Sequence, residues 1–160
     1  MAIERAVPLK YTKGSITQGS ADAFVQGSIT TALAGVTGLC WRVRELVLEV
    51  PNGTAAAANF EVAFTRKSFS AMPAMTEKSV IFRYKRSFSM TTSGASVLEN
   101  VLRWSYPSDS ADFLVVEDPV YVQLDSASTT LANVLSWSIG YEEAKIDESL
   151  RQALLIAALQ

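Results

Sequence analysis

The sequence contains no histidine and only one cysteine among its 160 residues. Without histidine, every serine, cysteine or metal mechanism that uses imidazole as base or ligand is excluded. Cys40 alone can form neither an intrachain disulfide nor a zinc site. It lies in an apolar run, which predicts a buried structural thiol rather than a reactive one.

Long hydrophobic runs and strong net charge are also missing. No stretch approaches the roughly 18 consecutive apolar residues of a membrane span, and residues 1–10 lack the apolar core of a secretory signal. The formal net charge of −2 argues against a dedicated nucleic-acid binder. No glycine-rich phosphate loop links a strand to a helix. We therefore predict no enzymatic activity, no cofactor and no transmembrane segment, with synthesis in a cytoplasm where the protein need not remain.

Lysine-based nucleophiles and pairs of carboxylates are the routes to catalysis that remain, and carboxylates could also bind a metal. The adjacent pairs are Glu117 with Asp118 and Glu142 with Glu143. Neighbouring residues on a strand point to opposite faces, which argues against either pair acting as a unit. Calcium prefers loop oxygen ligands, but no calcium-binding motif is present, so solvated loops are favoured over a metal site. The acidic residues considered for calcium are Asp109, Asp112, Glu117, Asp118 and Asp125.

What the chain does contain is alternation of apolar and polar residues. In residues 131–143, Leu135, Trp137, Ile139 and Tyr141 share one face, which predicts a long strand with its heavy face in the core. In residues 39–50 the phase changes, which predicts a β-bulge near Glu45. Turn signals separate the β segments, which cover residues 23–33, 39–50, 60–65, 79–90, 101–106, 113–116, 120–124 and 131–143.

These segments predict an all-β fold, an eight-stranded antiparallel β-sandwich with jelly-roll topology favoured. An immunoglobulin-like sandwich is the alternative, although the usual paired cysteines are absent. We divide the chain into a flexible N-terminal arm (1–22), the sandwich (23–146) and a short C-terminal helix (147–160). Jelly-roll logic pairs residues 23–33 with 131–143, residues 39–50 with 120–124, and residues 79–90 with the strand that reaches Tyr106.

The predicted helix ends in an almost wholly apolar segment. Asp147 is a suitable N-cap, and the polar residues stop at Gln152. If the sheets fill their own core, the helix cannot bury all of its large side chains on this chain, and at least one side should face another subunit. The candidate contact residues are Leu154, Leu155, Ile156 and Leu159.

Charge is unevenly distributed along the chain. Residues 66–86 carry six basic residues against Glu77, whereas residues 99–148 carry ten acidic residues against Arg103 and Lys145. The pattern indicates either a solvated surface or opposite patches that meet between subunits. The basic candidates for such a contact are Arg83, Lys85 and Arg86.

The three tryptophans admit two interpretations. An aromatic platform on a β-sandwich is typical of a carbohydrate-binding module, which is one function that this composition allows. By their period, however, Trp41, Trp104 and Trp137 belong to apolar faces, which favours core packing. The composition is equally compatible with a module that binds a protein partner, and with a phage decoration or tail accessory protein.

In outline, residues 23–143 resemble the small single-jelly-roll capsid proteins of icosahedral viruses, particularly tailless bacterial or archaeal viruses. The features that carry the resemblance are the arm, the eight strands, the Glu117-Asp118-Pro119 interruption and the long last strand. The resemblance implies a virion protein that assembles into a shell with copies of itself, with other virion proteins as further partners. The arm and the terminal helix are the implied contacts.

Overall fold

The structure is a computed structural model that describes residues 8–19, 23–49, 57–89, 101–107, 113–126 and 134–160. This part of the chain forms nine strands and one helix. They are β1 Lys10–Thr17, β2 Val25–Ile29, β3 Leu39–Glu49, β4 Ala57–Thr65, β5 Val80–Ser89, β6 Val101–Ser105, β7 Leu114–Val115, β8 Val120–Ser126, β9 Val134–Lys145 and α1 Glu148–Leu159.

The strands form two antiparallel sheets that pack face to face. The first sheet has the order β1-β9-β3-β6, with the short β7 also paired to β3, and the second has the order β2-β8-β4-β5. Most consecutive strands alternate between the sheets, and the first strand lies beside the last. This is the connectivity of a jelly roll, the topology that the sequence pattern favoured.

The core lies between the inward faces of the sheets. Leu135 and Ile139 of β9 and Leu46 of β3 meet Phe64 of β4 and Val122 of β8 there. Phe82 of β5 packs edge-on against Trp104 of β6 across the sandwich, with ring centroids 4.9 Å apart. The predicted heavy face of the last strand is thus core-facing, and Phe82 and Tyr84 of β5 pack against the same core.

The predicted arm contains a strand of the sandwich, so its boundary at residue 22 was wrong. Lys10–Thr17 pairs along β9, from Lys10 opposite Tyr141 to Thr17 opposite Val134. From Thr12 to Ile16 every second residue of β1 is half-buried, and the other residues of the strand are exposed. β1 is an edge strand with one solvent-exposed face and a glycine near its centre. Its sequence therefore shows no strong alternation of apolar and polar residues.

Because β1 was missed, all three predicted pairings were wrong. The segment 23–33 provides β2, which pairs with β8 instead of β9. The segment 39–50 provides β3, which pairs with β9, β6 and β7 instead of β8. The segment 79–90 provides β5, which pairs with β4, while β6 lies in the opposite sheet. The rule that places the first strand beside the last holds once β1 is counted.

The predicted bulge is confirmed. The register of β3 on β9 shifts between Val43 and Glu45. As a result Val43, before the shift, and Leu46, after it, both face the core. The interrupted segment 113–124 is also confirmed as two strands, β7 and β8, separated by a cis peptide bond between Asp118 and Pro119.

A second, smaller cluster lies on the outer face of the first sheet. Cys40, Leu114 and Val116 are buried there beneath Leu154 and Leu155 of α1. Cys40 is therefore a buried structural residue, as predicted, and burial raises the pKa of its thiol and disfavours the thiolate. The helix is held on the sheet by this cluster.

Gly14 provides a test of the β1–β9 contact. A Cβ added to Gly14 would lie 2.4 Å from the Trp137 ring, so Gly14→Ala should lower the free energy of unfolding by about 1–3 kcal/mol. Gly19→Ala is the matched control because nothing lies within 4 Å of its Cβ position, and it should change stability by less than about 0.5 kcal/mol. Urea denaturation of both variants measures the difference, and equal stabilities would contradict this packing.

Candidate functional site

The outer face of α1, defined here by Ile156 and Leu159, is apolar, and its two side chains are 54% and 85% exposed. They lie three residues apart and share one side of the helix. Leu150 is also exposed, but it lies six residues before Ile156 and therefore on another side. Of the four predicted contact residues, Leu154 and Leu155 pack on this chain, whereas Ile156 and Leu159 remain in solvent.

The orientation of α1 is fixed at both ends. Asp147 is the N-cap and accepts a hydrogen bond from the Ser149 amide at 2.9 Å. Hydrogen bonds from the Ser149 hydroxyl and from backbone amides lower the pKa of the Asp147 carboxyl. At the other end, Lys78 Nζ donates to Gln160 Oε1 at 2.6 Å. These contacts hold the apolar outer face away from the sheet.

The predicted basic candidates lie on β5. Arg83 donates to Glu61 of β4 and to the Pro73 carbonyl, each within 2.6 Å. Lys85 Nζ lies 2.6 Å from the other oxygen of Glu61, and its side chain is 57% exposed. Arg86 is half-buried and lies opposite Phe60 in the register. Much of this basic charge is therefore neutralised within the chain.

The β4–β5 connection folds over the outer face of the second sheet. The Phe69 amide donates to Gln26 Oε1 at 2.8 Å, and Gln26 Oε1 also accepts from Gln123 Nε2 at 2.9 Å. Gln123 is completely buried although it points away from the core. The connection therefore covers this part of the sheet and carries Arg66 and Lys67 towards α1.

A cavity of about 410 Å³ lies where the connection meets the helix. Five segments line it: the β2–β3 turn, the start of the β4–β5 connection, the β7–β8 connection, β8 through Tyr121, and α1. Its charged side chains are three cations and two carboxylates, namely Arg66, Lys67, Arg151, Glu117 and Asp118. The fold thus concentrates charge from distant parts of the sequence in one small cavity.

One ion pair in this cavity is nearly sealed from solvent. Arg66 Nη1 lies 2.8 Å from both carboxylate oxygens of Glu117, and the side chains are 8% and 7% exposed. Arg66 Nη2 donates to the Leu114 carbonyl at 2.9 Å, and the Val116 amide donates to Glu117 Oε2 at 3.1 Å. These bonds satisfy the charges and tie the end of β4 to the β7–β8 connection.

The sequence did not predict the cavity, although one signal was available. Arg151 shares a helix face with Leu154 and Leu155, three and four residues on, so its burial follows from helical spacing. The Arg66–Glu117 pair has no such local signal, because 51 residues separate its partners.

The carboxylates considered for calcium or catalysis have partners within the chain. Glu117 binds Arg66, and Asp118 Oδ1 accepts from the Thr31 amide at 3.0 Å. Glu142 and Glu143 point apart: the first contacts Arg42 and Arg44, and the second contacts Lys10. In the described ranges no three His, Cys, Asp or Glu side chains are placed to hold a metal. Asp109 and Asp112 lie outside these ranges.

The tryptophans face inward. Trp41 is buried and stacks on Tyr141 with ring centroids 3.9 Å apart, and Trp137 is buried in the same core. Trp104 is half-buried and packs edge-on against Phe82 and Tyr84. They therefore form no exposed platform for a sugar ring.

The comparisons with known proteins identify no family. No protein-family model matches the chain, and no curated protein matches it. Among solved structures, the chain is similar to one named Desmodium yellow mottle tymovirus, with 10% sequence identity, a TM-score of 0.41 and 91% of each chain covered. That TM-score is too low to carry an argument. In the part of the chain that the structure describes, no helix is long and apolar enough to cross a membrane.

Acid titration tests the Glu61 cluster. Burial alone would raise the pKa of Glu61, but hydrogen bonds from Lys85 and Arg83 outweigh it, so the folded-state pKa lies below its ordinary 4.5. Ionised Glu61 therefore stabilises the fold above pH 4.5, and this contribution is lost as the pH falls through the lowered pKa. Glu61→Gln should flatten the decline of unfolding free energy in that range, with Lys85→Met intermediate. Curves parallel to that of the wild type would refute the effect.

Removal of one partner tests the buried ion pair. Arg66→Met leaves the Glu117 charge buried without its cation and should lower the free energy of unfolding by about 3–5 kcal/mol. The double variant Arg66→Met with Glu117→Gln should recover most of this loss. Arg103→Met is the surface control, because Arg103 is 65% exposed beside Glu45, and it should cost less than about 1 kcal/mol. Similar losses in the two single variants, measured by urea denaturation, would contradict the account.

Proposed function

We propose that this chain is a structural virion protein that assembles with copies of itself into an icosahedral shell. Its contacts would repeat between identical subunits, with other virion proteins as further partners, and its site of action would be the virion. The observation that carries the proposal is the apolar outer face of α1, which a jelly-roll subunit presents without covering it. A fold alone does not establish a function, so the argument rests on this surface.

The uncovered face has the composition of a subunit contact. Ile156 and Leu159 form it near the end of the helix, three residues apart on one side, where Lys78 Nζ donates to Gln160 Oε1. Burial of such a side chain contributes about 1.5–3 kcal/mol. In a closed shell every subunit would make this contact, so a modest gain at one interface is multiplied over the particle.

Fewer basic side chains are available for an electrostatic contact between subunits than the sequence suggested. Arg83 is held by Glu61 and the Pro73 carbonyl, which leaves Lys85 as the more exposed of these two cations. An exposed lysine is screened by salt, so we expect assembly to depend chiefly on apolar burial and to weaken only slightly as salt rises.

The inward tryptophans disfavour a carbohydrate-binding module, since a sugar platform needs an accessible ring. A phage decoration or tail accessory protein would use the same apolar face differently. It would form small oligomers, such as trimers, that bind only to a preformed shell.

Charged substitutions on the outer face of α1 test the proposal. Ile156→Lys combined with Leu159→Lys should abolish shell formation, because each side chain would lose about 1.5–3 kcal/mol of burial at the contact. The subunit should stay folded, since both positions are exposed. Electron microscopy and the mass in solution measure assembly, and thermal denaturation checks the fold.

The control is Met75→Lys with Thr76→Lys, which adds the same charge to an exposed part of the β4–β5 connection. It should assemble as the wild type does. Normal shells from the α1 variant would refute the role of this face. Wild-type protein that remains monomeric, or forms only trimers, would refute assembly into a shell.

A further inference from the structure

Asp118 lines the cavity between the β4–β5 connection and α1, and within the described ranges it is the only charged residue of the lining without an ion pair. Its Oδ1 accepts from the Thr31 amide at 3.0 Å, and its Oδ2 makes no hydrogen bond in the same ranges. A carboxylate offers about four acceptor positions, so most of the capacity of Asp118 is unused. The residue is half-buried, which leaves part of it accessible to solvent and to a ligand.

The three cations of the lining are each paired with a carboxylate other than Asp118. The pairs, with N···O distances of 2.8, 3.4 and 3.2 Å, are Arg66 with Glu117, Lys67 with Glu77, and Arg151 with Glu148. At a distance a paired charge acts as a dipole, whose potential falls off faster than that of a single charge. With the partners counted, three cations and four carboxylates surround the cavity. The excess negative charge is therefore that of Asp118.

The β2–β3 turn holds this carboxylate in place. Besides the amide bond to Asp118, the hydroxyl of Thr31 donates to the Glu117 carbonyl at 2.7 Å. Thr31 itself is buried, so both bonds are shielded from water. A group that is already fixed before binding loses little conformational freedom when a ligand arrives, and this favours affinity.

The rest of the cavity wall suits an apolar body. Pro119, Tyr121 and Leu155 line it from three different segments, and all three residues are half-buried. The volume of about 410 Å³ is within the size range of small-molecule pockets. The aromatic ring of Tyr121 also favours a cation over a neutral or anionic group. The lining therefore matches a ligand with a cationic end and an apolar body.

The charges around the cavity limit the ligand to one positive charge. A primary ammonium group carries three N–H donors, and its hydrogen bond to a carboxylate is stronger than one between neutral groups. A second cationic group would find no further unpaired carboxylate in the lining. It would instead lie near the three cations that are already paired there.

We propose that this cavity binds a small organic ammonium ion, with its N–H groups on the Asp118 carboxylate and its apolar body against Pro119, Tyr121 and Leu155. The proposal concerns the single subunit and does not depend on assembly into a shell. It combines an unpaired and accessible carboxylate, a cavity of suitable size and an apolar wall beside the charge.

Calorimetric titration of the full chain with cyclohexylammonium, at neutral pH and constant ionic strength, tests the proposal. We expect saturable binding of one ligand per chain, with cyclohexanol and cyclohexanecarboxylate each binding roughly tenfold more weakly or worse. Asp118→Asn keeps an acceptor for the Thr31 amide but removes the charge, so it should weaken ammonium binding by about the same factor. Glu49→Gln is the matched control, because Glu49 is an exposed carboxylate outside the cavity, and it should bind as the wild type does.

A second variant tests the cavity without changing the carboxylate. Ala34 lines the cavity and is exposed, so Ala34→Trp should leave the fold intact while it reduces the space for the ligand and weakens binding. Thermal denaturation gives an independent readout, because the ammonium ion should raise the Tm of the wild type more than that of either cavity variant. Absence of saturable binding, unchanged binding by Asp118→Asn or Ala34→Trp, or equally tight binding of the alcohol or the carboxylate would overturn the assignment.

Discussion

The first sheet depends on the fit between Trp137 and the strand beside it. The indole occupies the inward face of β9, and the neighbouring position on β1 must be a glycine because a Cβ there would lie 2.4 Å from the ring. With Gly14 in place, β1 closes one edge of β9 while β3 closes the other. The last strand therefore lies in the interior of its sheet, with a paired strand along each of its edges.

The same fit explains what the sequence concealed. The bulky residues of β9 predicted its core face, and the change of phase in β3 predicted its bulge. In β1 the small partner of Trp137 lowered the apolar signal, and the edge position left alternate side chains in water. The polar composition of this segment therefore predicted an arm where the fold has a strand. Once one strand was missing, each predicted pairing shifted by one place, although the jelly-roll rule behind them was correct.

The ion pairs of the fold could not be predicted from the distribution of charge along the sequence. The basic stretch 66–86 and the acidic stretch 99–148 are separate in the sequence, but folding brings Arg66 of the first against Glu117 of the second. Arg83 and Lys85 instead meet Glu61, which lies outside both stretches on the adjacent strand. Such pairs depend on which strands are neighbours, and the predicted strand pairings were wrong. For α1, composition alone predicted that not all of its large side chains could be buried on this chain, and Ile156 and Leu159 are exposed.

The small cluster beneath α1 makes the helix a separable unit. Cys40, Leu114 and Val116 lie on the opposite side of the first sheet from the main core, so the helix shares no inner side chains with the sandwich. Detachment of α1 would expose this cluster and the Arg66–Glu117 region while both sheets stayed closed, and local openings of this kind require less free energy than global unfolding. We therefore expect two levels of cooperativity: a sandwich that unfolds as a whole and a terminal helix that can detach while the sandwich stays folded.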